Sequence, residues 1–136
     1  MGKVILVASG KGGTGKSTTT AALACALSEL GHRVVCLDAD VEVRNLDLCL
    51  GLSDCAIMDY GDVLAGRCSL EDALTPSRGF SSLFLLAAPV ELPKDGAETL
   101  IPSLTKDFDY CLLDCPGGLN TASHWAPWAD LALVVA

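Results

Sequence analysis

The sequence predicts an α/β fold with a mainly parallel β-sheet that is flanked by helices on both faces. Three observations predict it. Short apolar runs alternate along the chain with segments of helical character, which is the order of a strand–helix–strand fold. The runs are continuous rather than alternately apolar and polar, as expected of strands buried on both sides. Hydrophobic residues make up 51% of the 136 residues, which is enough to build such a core.

Five apolar runs are predicted to be strands. In chain order they are residues 3–9, 33–37, 83–88, 109–113 and 130–136. Parallel strands need long crossover connections, so helices are expected in the intervals. The length of the chain and the absence of a linker-like stretch indicate one domain over residues 1–136.

The longest predicted helix covers residues 17–30. It places Leu23, Leu27 and Leu30 on one face, and Gly31 is expected to stop it. This spacing predicts that the three leucines pack on the sheet. The other predicted helices cover about residues 45–50, 60–64, 70–74, 95–106 and 121–129.

Local signals refine three of these helices. Ser69, with Asp72 three residues later, is typical of an N-terminal capping box for the helix over 70–74. Pro102 lies inside the helix over 95–106 and predicts a kink or break there. The helix over 121–129 contains Pro127.

The glycine-rich segment after the first strand is the most specific chemical signal. Residues 10–17 read Gly-Lys-Gly-Gly-Thr-Gly-Lys-Ser, which fits the phosphate-binding pattern G-x-x-x-x-G-K-[ST]. Glycines let successive backbone N–H groups surround an anion, and the helix that follows adds its free N–H groups and partial positive charge. Lys16 is expected to reach the β- and γ-phosphates, and the Ser17 hydroxyl to ligate Mg²⁺. The alternative is a glycine-rich turn without a ligand.

The pattern therefore predicts a site for a nucleoside triphosphate and Mg²⁺. Its expected nucleotide-binding residues are Gly10, Lys11, Gly12, Gly13, Thr14, Gly15, Lys16, Ser17 and Thr18.

Carboxylates follow two of the predicted strands. Asp38 and Asp40 lie two residues apart at the end of the second strand, so their side chains point to the same side. Near a magnesium nucleotide, one can hold metal-bound water and the other can orient an attacking water. Asp114 ends the fourth strand, as does the second Mg²⁺ ligand of phosphoryl-transfer enzymes. In each case the alternative is an ordinary solvated turn after a strand.

Lys11 is unusual because a plain phosphate-binding loop does not require a lysine at that position. A second cation near the γ-phosphate would stabilise the charge that develops during phosphoryl transfer, as an arginine finger does. The alternative is a solvated surface lysine.

Charge and cysteine content exclude some classes of protein. The net charge of −8 argues against general affinity for nucleic acid, so no nucleic-acid partner is expected. The amino terminus lacks the features of a signal peptide, and no apolar run reaches transmembrane length. Seven cysteines, without a C-x-x-C pair, are interpreted as mostly reduced and buried in a cytoplasmic protein. A metal or cluster role for Cys111 and Cys115 is the alternative.

These motifs resemble the MinD/ParA family of ATPases, whose deviant Walker A loop carries the extra lysine found here at Lys11. Residues 38–40, Asp-Ala-Asp, match the family's switch I carboxylates. Residues 44–52 resemble MinD-like members more than ParA or the nitrogenase iron protein. Residues 114–118 resemble Asp-x-Pro-Ala-Gly, with Gly117 in place of Ala. Segments 73–74, 83–88 and 94–97 also align in order and spacing, so the resemblance covers nearly the whole chain.

The resemblance implies a three-layer P-loop NTPase fold and a Mg-dependent ATPase that acts as a switch in division-site placement. It implies an ATP-bound homodimer in which Lys11 crosses to the partner's phosphates and acts in catalysis with Lys16 and Asp40. Ser17, Asp38 and Asp114 would organise Mg²⁺. Partners resembling MinC and MinE are implied, as is recruitment from the cytoplasm to the inner membrane surface.

Two departures qualify these expectations. Thr14 replaces a common valine, which is a mild change. The family continues beyond the last strand into an adenine-binding loop and a C-terminal membrane helix. The chain is therefore interpreted as the N-terminal part of such a protein, either truncated at the C-terminus or a shortened variant. The alternative functions are a ParA-like partitioning ATPase, an iron-protein-like reductase, and a nucleotide-binding fragment without turnover.

Overall fold

The computed structural model describes residues 2–9, 16–38, 59–77, 79, 82–87, 97–115 and 125–135. Its strands are β1 (Lys3–Ser9), β2 (Val34–Asp38), β3 (Leu74–Pro76), β4 (Leu83–Leu86), β5 (Tyr110–Asp114) and β6 (Leu131–Val135). Its helices are α1 (Lys16–Glu29), α2 (Tyr60–Leu64), α3 (Leu70–Ala73) and α4 (Ala97–Asp107), followed by a 3-10 helix over Ala126–Trp128. The helix expected over residues 45–50 lies outside the described residues.

The described strands form one sheet in the order β3-β4-β2-β5-β1-β6. Every neighbouring pair is parallel except β3 with β4. The mainly parallel sheet expected from the sequence is therefore confirmed. Each of the five predicted strands is present, with ends that agree within two residues.

The antiparallel strand β3 was not predicted. Sequence analysis extended a helix through Leu74, whereas α3 ends at Ala73 and the chain turns directly into β3. Three residues are too few to show a strand pattern. The pairing of Leu74 with Leu86 cannot be predicted from the residues around either one. Pro76 is tolerated because β3 is an edge strand.

Two apolar clusters cover the two faces of the sheet. Side chains along a strand alternate between faces, so each central strand contributes to both clusters. On one face the buried residues surround α1; they are Ile5, Val7, Ala21, Ala24, Val34, Cys36, Leu83, Leu85 and Leu112. The opposite face is covered by α2 and α4, and the buried residues there include Leu6, Val35, Leu37, Tyr60, Leu86, Leu100, Leu104, Leu113 and Trp125. These three layers are the architecture that the sequence predicts.

Helix α1 packs on the sheet through small residues and through two of the three predicted leucines, because Leu23 and Leu27 pack against the same cluster. Ala21 and Ala24 are buried, whereas Leu23 and Leu27 are half-buried. Leu30 is 74% exposed, so its predicted core position is wrong. Leu30 follows the last residue of the helix and belongs to the turn formed at Gly31, whose φ of 93° confirms the predicted stop.

Pro102 does not break α4, which runs from Ala97 to Asp107 with Pro102 inside it. The predicted break is therefore wrong, and the predicted kink stays a prediction. Proline removes one N–H group, and the carbonyl that would have accepted its hydrogen bond belongs to Glu98. Both Pro102 and Glu98 are exposed, so water can reach that carbonyl.

The predicted capping box of α3 is confirmed. The Ser69 hydroxyl accepts a hydrogen bond from the Asp72 backbone N–H at 3.2 Å. The Asp72 carboxylate in turn accepts from the Ser69 backbone N–H at 3.5 Å. Of the helix expected over residues 121–129, the described part is Trp125 and the 3-10 helix that follows it.

Candidate functional site

Two of the predicted metal ligands lie side by side at the carboxyl ends of adjacent strands. Asp38 ends β2 and Asp114 ends β5, and the register of the parallel pair places them opposite each other. Both are buried, with exposed fractions of 3% and 0%. Ligands of open α/β sheets bind at this edge, so the two carboxylates lie where the fold family places its chemistry.

Both carboxylates belong to the α1 face of the sheet. In β5, Leu112 contributes to the cluster around α1, and Asp114 points the same way because side chains two residues apart share a face. Cys36 and Asp38 are related in the same manner on β2. The Thr20 hydroxyl on α1 lies 3.5 Å from Asp114 Oδ1, a long contact for a hydroxyl donor, which confirms the orientation of Asp114.

The phosphate-binding segment joins this same edge of the sheet to α1. Strand β1 ends at Ser9 and α1 begins at Lys16, so the backbone of Lys16 and Ser17 forms the first turn of α1, as the motif requires. Thr18 follows and is exposed. The structure does not describe the side chains of Lys16 and Ser17. The remaining predicted site residues also lie outside the described residues: Gly10, Lys11, Gly12, Gly13, Thr14, Gly15 and Asp40.

Sequence analysis missed two residues at this edge, Thr20 and Tyr60. Thr20 is fully buried and lies four residues after Lys16, about one helical turn. A hydroxyl on the same helix face as the start of the motif is a signal that could have found it. Tyr60 looks like an ordinary helix residue in the sequence, and only the fold brings it to the carboxyl edge of the sheet.

Tyr60 is the first residue of α2 and lies beside the carboxyl end of β4. Its backbone N–H donates to the carbonyl of Ala87, the residue that follows β4, at 3.2 Å. Its ring is fully buried and meets the Trp125 ring edge-on, with centroids 6.0 Å apart and an interplanar angle of 89°. Burial raises the pKa of the Tyr60 phenol well above its usual range, and the nearby charge of Asp38 adds to the effect.

The chemistry of the donors suits a hard cation. Asp38 and Asp114 offer carboxylate oxygens, and Mg²⁺ is typically held by one or two carboxylates together with water and phosphate oxygens. Among the described residues, no cluster of three or more His, Cys, Asp or Glu side chains could hold a metal ion. Cys111 is buried, and burial raises the pKa of its thiol to about 12, whereas metals bind the thiolate.

A separate groove of about 210 Å³ contains none of the predicted site residues. It lies between α2, α3 and α4. It is lined by Val63, Leu64, Leu70, Thr99, Leu100 and Ser103.

Comparison with known families gives the same answer as the motifs. A profile described as the CobQ/CobB/MinD/ParA nucleotide-binding domain matches residues 5–104, which is most of the chain. The chain belongs to this MinD/ParA family. Among its curated relatives are septum site-determining MinD proteins from Helicobacter pylori, 43% identical, and Bacillus subtilis, 38% identical. Each comparison covers 99% of this chain and 53% of the relative, so the chain spans about half their length.

Solved structures of MinD proteins share the fold. The Pyrococcus horikoshii protein, complexed with Mg-ADP, superposes with a TM-score of 0.87 at 36% identity, over 100% of this chain and 58% of that one. MinD in the Aquifex aeolicus MinC:MinD complex gives a TM-score of 0.82 at 38% identity, over 97% of this chain and 55% of that one. The chain is therefore a MinD-like member of the family. No helix within the described segments is long and apolar enough to cross a membrane.

Proposed function

We propose that this chain is the nucleotide-binding part of a MinD-like ATPase, which binds and hydrolyses Mg-ATP and takes part in placing the division site. The observation that carries the proposal is the buried Asp38–Asp114 pair, on the same face of the sheet as the helix that begins at Lys16. The Mg-ADP complex of the P. horikoshii relative supports the choice of ligand. The names of the curated relatives support the cellular role.

Each predicted residue has a distinct part in this proposal. Residues 10–15 supply backbone N–H groups to the phosphates, and Lys16 adds a charged contact to the β- and γ-phosphates. Ser17, Asp38 and Asp114 hold Mg²⁺ or its water ligands. Bound Mg²⁺ would neutralise charge that develops on the phosphates. Thr20, which contacts Asp114, restrains the orientation of that carboxylate.

Calorimetry with Mg-ATP tests the proposed nucleotide site. Lys16→Ala is expected to weaken binding by about 1.5–3 kcal/mol, or roughly 10- to 150-fold, because it removes a charge-assisted contact. Lys3→Ala is the matched control, since Lys3 is exposed at the amino end of β1, away from the carboxyl edge. If Lys16→Ala binds Mg-ATP as tightly as the parent and the control, the assignment of the phosphate loop is wrong.

We further propose that ATP drives formation of a homodimer, with Lys11 contacting the partner's phosphates and Asp40 orienting the attacking water. A MinC-like protein is the proposed partner, supported by the A. aeolicus MinC:MinD complex, and a MinE-like activator is proposed by resemblance alone. The chain is proposed to act in the cytoplasm. Membrane recruitment, as in the family, is assigned to no residue of this chain.

Light scattering and phosphate release, measured on the same samples, separate the two roles. Asp40→Ala is expected to retain ATP binding, to slow hydrolysis and to prolong any ATP-dependent dimer, because the aspartate acts on water rather than on phosphate. Lys11→Ala is expected to lose ATP-dependent dimers and activated hydrolysis but to keep monomeric nucleotide binding. Equal dimer populations in parent and Lys11→Ala would remove Lys11 from the interface, and an unchanged rate in Asp40→Ala would remove Asp40 from the mechanism.

A further inference from the structure

The Tyr60 hydroxyl is a buried donor without a hydrogen-bond partner among the described residues. The residue is fully buried, so water does not satisfy the hydroxyl from the surface. A phenylalanine would fill the same space without this unpaired group. Buried polar groups are nearly always paired, and an exception at a functional edge calls for a physical explanation.

Contacts hold the backbone and the ring that carry this hydroxyl. The backbone of Tyr60 is held to Ala87, and its ring lies edge-on to Trp125. Asp59 caps the helix, since its carboxylate accepts from the Asp62 N–H at 3.0 Å. A donor held in this way needs little rearrangement to bind an acceptor that comes within reach.

Besides burial, the charges of three groups raise the pKa of the phenol, and these groups are Asp38, Cys115 and Asp59. The Asp59 carboxylate already serves the helix cap, and a cysteine sulfur is a weak acceptor. Asp38 offers a carboxylate, which accepts up to about four hydrogen bonds and forms stronger ones with a neutral donor than a neutral acceptor does. Asp38 follows Leu37, which pairs with Leu86, so Asp38 lies across the β2–β4 pair from Ala87, the residue whose carbonyl accepts from the Tyr60 N–H.

We propose that Tyr60 is a positioning residue, whose hydroxyl donates to the Asp38 carboxylate when Mg²⁺ and nucleotide are bound and so orients Asp38 toward the metal's ligands. This rests on the proposed Mg-nucleotide function. Hydrogen-bond partners of metal-organising carboxylates typically contribute about 10- to 100-fold to metal affinity. Tyr60 touches neither substrate nor metal in this proposal and acts through Asp38.

The isosteric variant Tyr60→Phe tests the proposal by two measurements that do not involve turnover. Without ligands, its melting temperature is expected to equal or exceed that of the parent, because no described residue pairs with the hydroxyl in that state. With ADP bound, calorimetric titration of Mg²⁺ is expected to show about a 10-fold loss of Mg²⁺ affinity. ADP affinity in EDTA is expected to stay at the parent value.

Tyr110→Phe is the matched control, because it deletes the same atom from the chain's second tyrosine. Tyr110 starts β5 at the opposite edge of the sheet, where its ring contacts His32. Parent-like Mg²⁺ affinity is expected there. If the parent binds ADP and Tyr60→Phe keeps the full Mg²⁺ affinity, the positioning role alone is wrong. The same holds if Tyr60→Phe without ligands melts at a lower temperature than the parent. A parent that binds no Mg-nucleotide overturns the proposed function and this role together.

Discussion

At the residue scale, Gly2 shows how closely the amino end of the sheet is packed. Its backbone N–H donates to the Thr105 carbonyl at 2.9 Å, which ties the start of the chain to α4. A Cβ atom at this position would overlap the Phe108 carbonyl oxygen, which is backbone and cannot rotate away. Position 2 therefore excludes any side chain unless the chain or α4 moves.

Gly2→Ala is expected to lower the free energy of unfolding by about 1–3 kcal/mol, the usual effect of overpacking a tight contact. Urea unfolding measures the change. Gly79→Ala is the control, because a Cβ there meets no atom of the described residues within 4 Å. Equal midpoints for the two variants would contradict the close packing of Gly2 against Phe108.

Arg33 is a second residue whose role depends on the tertiary structure. Sequence analysis made it the first residue of a strand, but β2 begins one residue later. Its guanidinium lies over the rings of Phe108, at 4.9 Å, and Phe84, at 5.6 Å. Its backbone N–H donates to the Asp109 carboxylate at 2.8 Å. Arg33 thus joins β2, β4 and the start of β5 at the amino edge of the sheet.

At the element scale, the short helices α2 and α3 both begin with a capping box, and only the capping box of α3 was predicted. Ser69 before α3 is a familiar cap residue, whereas Asp59 before α2 follows a long stretch without a clear pattern. The Asp59 cap is completed by the Asp62 carboxylate, which also pairs with Arg67 at 2.8 Å. The backbone hydrogen bond from Asp59 and the nearby Arg67 lower the pKa of Asp62. Helices of four and five residues depend on such caps because they contain few internal hydrogen bonds.

Strand β6 departs from the expectation that every strand is covered on both faces. In the described part of the chain, Leu131 is 53% exposed and Val134 is 75% exposed. These residues lie on opposite faces, because β-strand side chains alternate. A continuous apolar run therefore identified the strand correctly but not its burial, which is set by the elements packed against it.

At the scale of the whole molecule, the thiols buried in the central strands are expected to lower the free energy of unfolding as the pH becomes alkaline. Burial raises the pKa of Cys111 on β5 from its ordinary 9.0 to about 12, and raises that of Cys36 on β2 as well. The folded-state pKa is raised, so the stabilising contribution is complete below pH 9.0 and is lost as the pH rises toward 12. In that interval the unfolded thiol ionises while the folded thiol stays protonated.

Removing the Cys111 thiol is therefore expected to reduce the fall in the free energy of unfolding at alkaline pH. Between pH 7 and 10 the parent should lose about 1.4 kcal/mol more of its free energy of unfolding than Cys111→Ala does. Denaturant unfolding at each pH measures the slope, and comparing slopes removes the constant effect of the smaller side chain. Identical slopes in the two proteins would show that Cys111 is not shielded from water in the folded state.

The site could be predicted in part because its chemical groups lie in short continuous segments of the sequence. A glycine-rich loop with Lys16 and Ser17, and an aspartate at the end of each of two apolar runs, are local patterns that need no knowledge of distant contacts. They led to the correct family and to Asp38 and Asp114, which the fold brings together. The roles of all the predicted site residues remain predictions, those of Asp38 and Asp114 included.

The sequence by itself determined the alternation of strands and helices, the parallel sheet and the pair of strand-end carboxylates, because each follows from short-range periodicity and backbone sterics. The tertiary structure alone decided the strand order, the edge strand β3 and the burial of each face. It also decided that Thr20 meets Asp114, 94 residues away, and that Tyr60 is hydrogen-bonded to Ala87, which lies across the sheet from Asp38. Such contacts depend on which surfaces exclude water together, and that is a property of the packed chain rather than of any one segment.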